Sequence, residues 1–165
     1  MQSVCSPLCG IHYTRQKKAR QQSSKDRQWR HQNRTYPELI KAVEKVCHQY
    51  VRLRDTDLPC VSCGSSAALQ SLGGTCDAGH YFSRGAHPAV RFDLRNIHSQ
   101  CKRCNRYLSG NIHQYKDGIL KRISEDDFKN LEALSNTVRH FTREELSELE
   151  KEFKQKIKDL KCSLN

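Results

Sequence analysis

The chain has 165 residues, nine cysteines, 36% hydrophobic residues and a formal net charge of +11. A mean hydropathy of −0.83, with five Phe and one Trp, leaves too little apolar volume for a large core, so a small stapled centre is expected. No apolar run is long enough to span a membrane and the first residues do not read as a signal peptide; this points to the cytoplasm, where paired thiols hold zinc more often than each other.

Four stretches follow in chain order. Residues 1–34 form a basic N-terminal arm that contains "CSPLCG", and residues 14–34 carry eight Lys/Arg against one Asp. The arm is almost without apolar residues, so it is expected to be helical without a packing face, or disordered, with its first residues disordered. Residues 35–57 read as an amphipathic helix. Thr35 and Glu38 have capping-box spacing, and Leu39, Ile40, Val43, Val46, Cys47, Tyr50 and Val51 recur at helical spacing. Residues 58–122 are the dense part. "LPCVSCG" reads as a zinc knuckle, "CDAGHYF" and "AVRF" as short strands joined by a turn, "RNIHSQ" as an extended connection, and "CKRCNRYLSGN" as a second knuckle that opens a short helix. Residues 123–165 are helical, with starts at Ser124/Asp127 and Thr142/Glu145. In the last helix Leu146, Leu149, Phe153, Ile157 and Leu160 make a seam that packs back onto the core or joins a second copy.

Cys60 and Cys63 form one C-x2-C pair, and Cys101 and Cys104 another. Two such pairs close a tetrahedral thiolate site around one Zn²⁺. Four sulfurs leave no open coordination position, so this zinc is structural and the insert between the knuckles must supply any chemistry. Cys76 and Cys47 read as small buried residues, and Cys162 lies in a tail.

Within that insert come His80 and Asn96, with Asn105 directly after Cys104. This order resembles the skeleton of HNH-type, ββα-metal nucleases, in which a strand histidine deprotonates water, a loop asparagine orients it, and a residue at the helix start binds one Mg²⁺ or Mn²⁺. An Asn105 oxygen suits such a hard cation. Residues 80–122 carry nine Lys/Arg against two Asp, and Arg84, Arg91, Arg95, Lys102, Arg103 and Arg106 are candidates to hold DNA phosphates around the site. His87, His98 and His113 read as solvent-facing or hydrogen-bonded rings.

"RDTDLPCVSCG", "DAGHY", "VRFDLRNIHSQCKRCN" and "SGN" together resemble the NinG (Rap) recombination proteins of lambdoid phages, over about residues 35–161. The layout is also similar to the junction resolvase endonuclease VII of phages. The resemblance implies a zinc-stapled, small α+β, HNH-like core flanked by helices. It also implies a structure-specific endonuclease acting on branched DNA, including Holliday junctions and D-loops, in a phage or prophage setting. Two symmetric cuts at a junction would suit a homodimer. An N-terminal zinc finger is implied too, of which "CSPLCG" matches the latter half; Cys5 and Cys9 alone do not complete it.

One departure bears on mechanism. Where the HNH pattern places Asp or His directly before the base, this chain has Gly79. Asp77 is the nearest carboxylate, and positions 77 and 80 of a regular strand face opposite sides. A kink at Gly79 would let Asp77 reach the ion. Alternatively His80 binds the metal, and His98 or a water moves the proton. The competing function is a zinc-dependent nucleic-acid-binding module without catalysis. A zinc deaminase is excluded because His80 lacks the H-x-E glutamate, and no serine or cysteine hydrolase elbow is present.

Overall fold

The computed structural model describes residues 6–66 and 76–163. The chain divides after Glu38 into two units. The first holds helix α1, Pro7–Gln32. Ser6 caps it by accepting a hydrogen bond from the Cys9 N–H at 3.2 Å, and Pro7 occupies the first turn, where its missing N–H costs nothing. Of the start expected to be disordered, residues 1–5 with Cys5 lie outside the described residues; from Pro7 onward the arm is helix, because the cap is followed by a run rich in Gln, Lys and Arg, all good helix formers. No residue of α1 is buried.

Helix α2, Tyr36–Arg54, starts as its spacing predicts. Glu38 accepts from the Thr35 N–H at 2.6 Å. Its apolar stripe, Leu39, Val43, Val46, Cys47 and Val51, is buried.

The centre of the second unit is a two-stranded antiparallel hairpin of β1, Asp77–His80, and β2, Ile97–Gln100. The partner of β1 is thus "IHSQ", not "AVRF". Pro88 fixes its own φ and has no N–H for a ladder, so Pro88–Val90 forms a single 3-10 turn. "IHSQ" is polar at three of four positions, yet all four residues are buried.

One face of the hairpin meets α2 and the last helix. Ile97 packs with Val43, Cys47, Phe153 and Ile157. The other side meets α3, Ile112–Ile119, and α4, Glu125–Ser135. There Tyr115, Ile119, Phe128 and Leu131 pack with Val61 and Val90, and Tyr81 and Phe82 lean on them. Ser124 caps α4 by accepting from the Asp127 N–H at 3.1 Å. Thr142 and Glu145 form a reciprocal capping box at the start of α5, Arg143–Ser163. Of the seam, Leu146, Phe153 and Ile157 pack into the chain's own core and Leu149 lies against them, while Leu160 is half-buried. Among the described residues no helix is long and apolar enough to cross a membrane. The molecule is a small α+β protein built around a cysteine cluster.

Candidate metal centre and hairpin site

The first knuckle turns through Gly64, whose φ of +69° favours glycine. It closes with the Gly64 N–H donating to the Cys60 carbonyl at 2.9 Å. The Val61 N–H donates to the Ser99 carbonyl at 3.1 Å, which attaches the knuckle to β2. The second knuckle follows β2 directly and enters a single π-helical turn, Arg103–Tyr107. The chain then passes through three successive left-handed residues, Ser109, Gly110 and Asn111. Gln100 steadies that bend by donating to the Gly110 carbonyl at 2.6 Å.

This brings the sulfurs of Cys60, Cys63, Cys101 and Cys104 within 4.8 Å of one another. Cys63 Sγ and Cys101 Sγ are 3.8 Å apart, and thiolates about 2.3 Å from a tetrahedral zinc lie about 3.8 Å apart. Outer contacts suit anionic sulfur: the Cys101 N–H donates to Cys60 Sγ at 3.3 Å, and the Asn111 amide to Cys104 Sγ at 3.4 Å. Burial raises the Cys60 thiol and pushes Cys104 up to about 12. For Cys63 burial acts in the same sense, but hydrogen bonds with Ser65 outweigh it and bring the thiol down to about 6. The four residues could hold a metal such as zinc, which would lock the two knuckles onto the hairpin.

Beside the cluster, the Asn105 amide donates to Asp77 Oδ2 at 2.9 Å, and Arg106 grips both oxygens of the same carboxylate at 2.6 and 2.8 Å. Arg106 holds the Asp77 carboxyl below its usual range, and Asn105 adds to this. A carboxylate and an amide thus meet across the junction of hairpin and knuckle. As they stand, Arg106 engages both Asp77 oxygens and Asn105 presents its amide nitrogen, so a hard cation, which takes oxygen ligands, would have to displace Arg106 and meet the amide turned over.

His80 lies elsewhere. The strand pairing is regular, Asp77 with Gln100 through His80 with Ile97, so the expected kink at Gly79 is absent and positions 77 and 80 face opposite sides. Gly79 serves packing instead: a Cβ there would stand 2.2 Å from Gln100 Oε1. The His80 Nε2–H donates to the Arg91 carbonyl at 3.2 Å, which leaves Nδ1 as the acceptor. The His48 ring meets it edge-on at 5.2 Å between centroids. Burial, with the neighbouring His48 adding, lowers His80 to about 4, so it is neutral at pH 7. Among the described residues no hydrogen bond joins His80 to Asp77 or Asn105.

Asn96 reaches His80 only through backbone. Its fully buried side chain accepts from the Phe82 N–H at 2.8 Å and donates to the carbonyls of Phe82 and Val90, both at 3.0 Å. That fastens the exit of β1 to the turn that presents the Arg91 carbonyl. The imidazole is oriented by Arg91, and Asn96 holds the loop that carries it.

The family model described as "Bacteriophage Lambda NinG protein" matches residues 1–162. The chain belongs to the NinG family. Curated relatives named Protein ninG are 40% identical in Escherichia phage lambda and in Escherichia phage 933W, over 124 residues, and 41% identical in Salmonella phage P22, over 125. Each alignment covers 75% of this chain and 58–59% of the relative, so the chain spans little more than half the length of these NinG proteins. No solved structure matches.

In this NinG chain several basic candidates already have acidic partners. Arg84 pairs with Glu44 at 3.1 Å, Arg91 with Glu44 at 3.8 Å, and Arg95 with Asp93 at 2.7 Å. Arg106 pairs with Asp77. Arg103 is exposed on the π-helical turn and Lys102 precedes it. His98, the alternative proton carrier, has both nitrogens engaged, Nδ1 with Arg54 at 3.2 Å and Nε2 with the Arg95 carbonyl at 3.0 Å.

Four contributors escaped sequence reasoning. His48 and Glu44, one turn apart on α2, wall the His80 side. Asp55 is buried among Arg54, Arg122 and the Ser99 N–H. Burial alone would raise its carboxyl, but Arg54 and Ser99 hold it below the usual range. Tyr115, fully buried, donates to the Gly79 carbonyl at 2.8 Å and accepts from the His98 N–H at 3.1 Å. Helical spacing and turn signals identify apolar stripes; they carry no signal for polar groups buried by long-range packing.

Proposed function

We propose that this NinG chain is a metal-dependent DNA endonuclease of HNH-like type that cuts branched recombination intermediates in the cytoplasm of a phage-infected or lysogenic bacterium. The family assignment fits a role in phage recombination. The observation behind the reading is that Asn105 meets Asp77 at the hairpin base beside the cysteine cluster, where the carboxylate and, with the amide turned over, the Asn105 carbonyl oxygen could face one cation. Asp77 and Asn105 would hold Mg²⁺ or Mn²⁺, and a bound cation stabilises charge on the phosphorane and the leaving oxygen. Arg106, whose side chain is 58% exposed, would turn from Asp77 to a substrate phosphate. His80 takes a proton from water at Nδ1, its orientation set by the Arg91 carbonyl. Asp77 and His80 lie about 10 Å apart along the strand and on opposite faces. A cation at Asp77 and a proton acceptor at His80 would serve one phosphodiester only if β1 rearranges when DNA binds, since a general base must stand within hydrogen-bond reach of the attacking water. Arg84, Arg91, Arg95, Lys102 and Arg103 would contact flanking phosphates.

The test is incubation with a synthetic four-way junction and with matched duplex, with and without Mg²⁺. Junction-selective nicking that needs the ion supports the reading. The opposite faces of Asp77 and His80 favour a second reading, a zinc-dependent nucleic-acid-binding module without catalysis. Salt-sensitive junction binding with no cutting under Mg²⁺ or Mn²⁺ would select it.

A further inference from the structure

We infer that α1 is a second DNA-binding element, one that lies along the phosphates of B-form duplex rather than acting at the hairpin site. The inference shares with the proposed function only the premise that the partner is DNA; it does not need cleavage.

A helix of 26 residues with no buried residue is unusual, because helices in folded proteins are held mainly by an apolar face. Here no apolar face runs along the helix: Leu8, Ile11 and Tyr13 stand exposed near one end and Trp29 near the other, and between Thr14 and Gln28 the only apolar side chain is Ala19. Such a helix is poorly suited to the two common uses of a lone helix. Docking in a protein groove needs apolar anchors at i, i+3, i+4 and i+7, and lying in a membrane interface needs a continuous apolar side.

What α1 offers is charge. It carries seven Lys/Arg against a single acid, Asp26, and Gln22 already engages Asp26 at 2.8 Å. At 100° per residue, Arg15, Arg20, Arg27 and Arg30 fall within an arc of about 140°, while Lys17, Lys18 and Lys25 fall on the other side. Arginine binds phosphate through a rigid fork of donors, so the arginine side is the contact surface. At 1.5 Å per residue the helix is about 39 Å long, slightly more than one turn of B-DNA. The wide major groove of B-form DNA admits a helix, and the deep, narrow one of A-form RNA does not.

The test uses the full chain with Arg15, Arg20, Arg27 and Arg30 changed to Gln, a residue of similar helix propensity. Binding to a 30-base-pair duplex is followed by fluorescence anisotropy from 50 to 300 mM salt, without added divalent ion or chelator. The expected result is affinity at least tenfold weaker at 100 mM salt. The slope of log K against log salt should be shallower by two or more, since each lost phosphate contact removes about 0.9. A control with Lys121, Lys129, Lys151 and Lys158 changed to Gln removes the same charge elsewhere and should move the slope by less than one. Unchanged affinity and slope in the arginine variant would overturn the inference, as would an equal loss in the control or tighter binding of double-stranded RNA than of DNA. Its failure separates from that of the endonuclease reading. A wild type that binds with the steep slope but never cuts leaves α1 standing, and a variant that binds like wild type while junctions are still cut removes only α1.

Discussion

The rings of His48 and His80 meet edge to face, 5.2 Å between centroids, so α2 forms one wall of the proposed catalytic side. Glu44, one turn earlier, pairs with Arg84 and Arg91, and the Arg91 carbonyl holds His80. Burial is the main reason that His80 titrates low, and the charge of a protonated His48 adds to it. Changing His48 to Gln should move the His80 midpoint upward from about 4, yet short of the ordinary value because burial persists. An NMR titration of the imidazole carbon shifts reads this directly, and an unchanged midpoint would remove the coupling.

Acid should weaken the fold through the same groups. His80 and His98 are each lowered to about 4 in the folded chain, chiefly by burial. The unfolded chain therefore binds more protons between about pH 4 and 6.5. Their contribution is complete above pH 6.5 and is lost as pH falls toward 4. Urea midpoints measured from pH 7.5 to 4.5 should decline, most steeply below 6.5. A flat profile would mean that these rings are not held neutral.

Removing Asp55 should be costly. It is 2% exposed and faces Arg54 at 2.6 Å and Arg122 at 3.2 Å. Asp55→Ala strands two guanidinium groups and the Ser99 N–H, and loss of one member of a buried pair costs about 3–5 kcal/mol. Denaturant unfolding of the metal-loaded protein should show a loss in that range; a change under about 1 kcal/mol would mean that water replaces the carboxylate.

Much of this architecture is legible in the sequence, and the gaps have physical causes. Both C-x2-C pairs, the α2 stripe and three helix starts follow local rules, so Cys60, Cys63, Cys101, Cys104, Thr35, Ser124 and Thr142 could be read directly. "IHSQ" could not. His98, Ser99 and Gln100 are buried only because α2 and α3 cover both faces of β2, and a polar run carries no periodic trace of that. The side of the strand on which His80 stands depends on whether Gly79 bulges, and that is set by the Gln100 side chain filling the space above it.

Metal content should follow the cysteine cluster. Elemental analysis is expected to give one zinc per chain. Cys60→Ser or Cys104→Ser should lose it and release the knuckles from the hairpin, seen as loss of dispersed amide signals for residues 77–80 and 97–100. Cys162→Ser, in the exposed tail of α5, should retain full zinc. Zinc retained by the Cys104→Ser protein would assign the ion to other ligands.

The most direct measurement is the single-turnover rate at which His80→Ala cuts a labelled four-way junction in Mg²⁺, with junction affinity measured on the same sample. The expected result is a rate lowered at least a hundredfold with affinity within about threefold of wild type. Cutting at the wild-type rate would contradict the assignment of His80 as the proton acceptor, and with it the hairpin as the seat of catalysis.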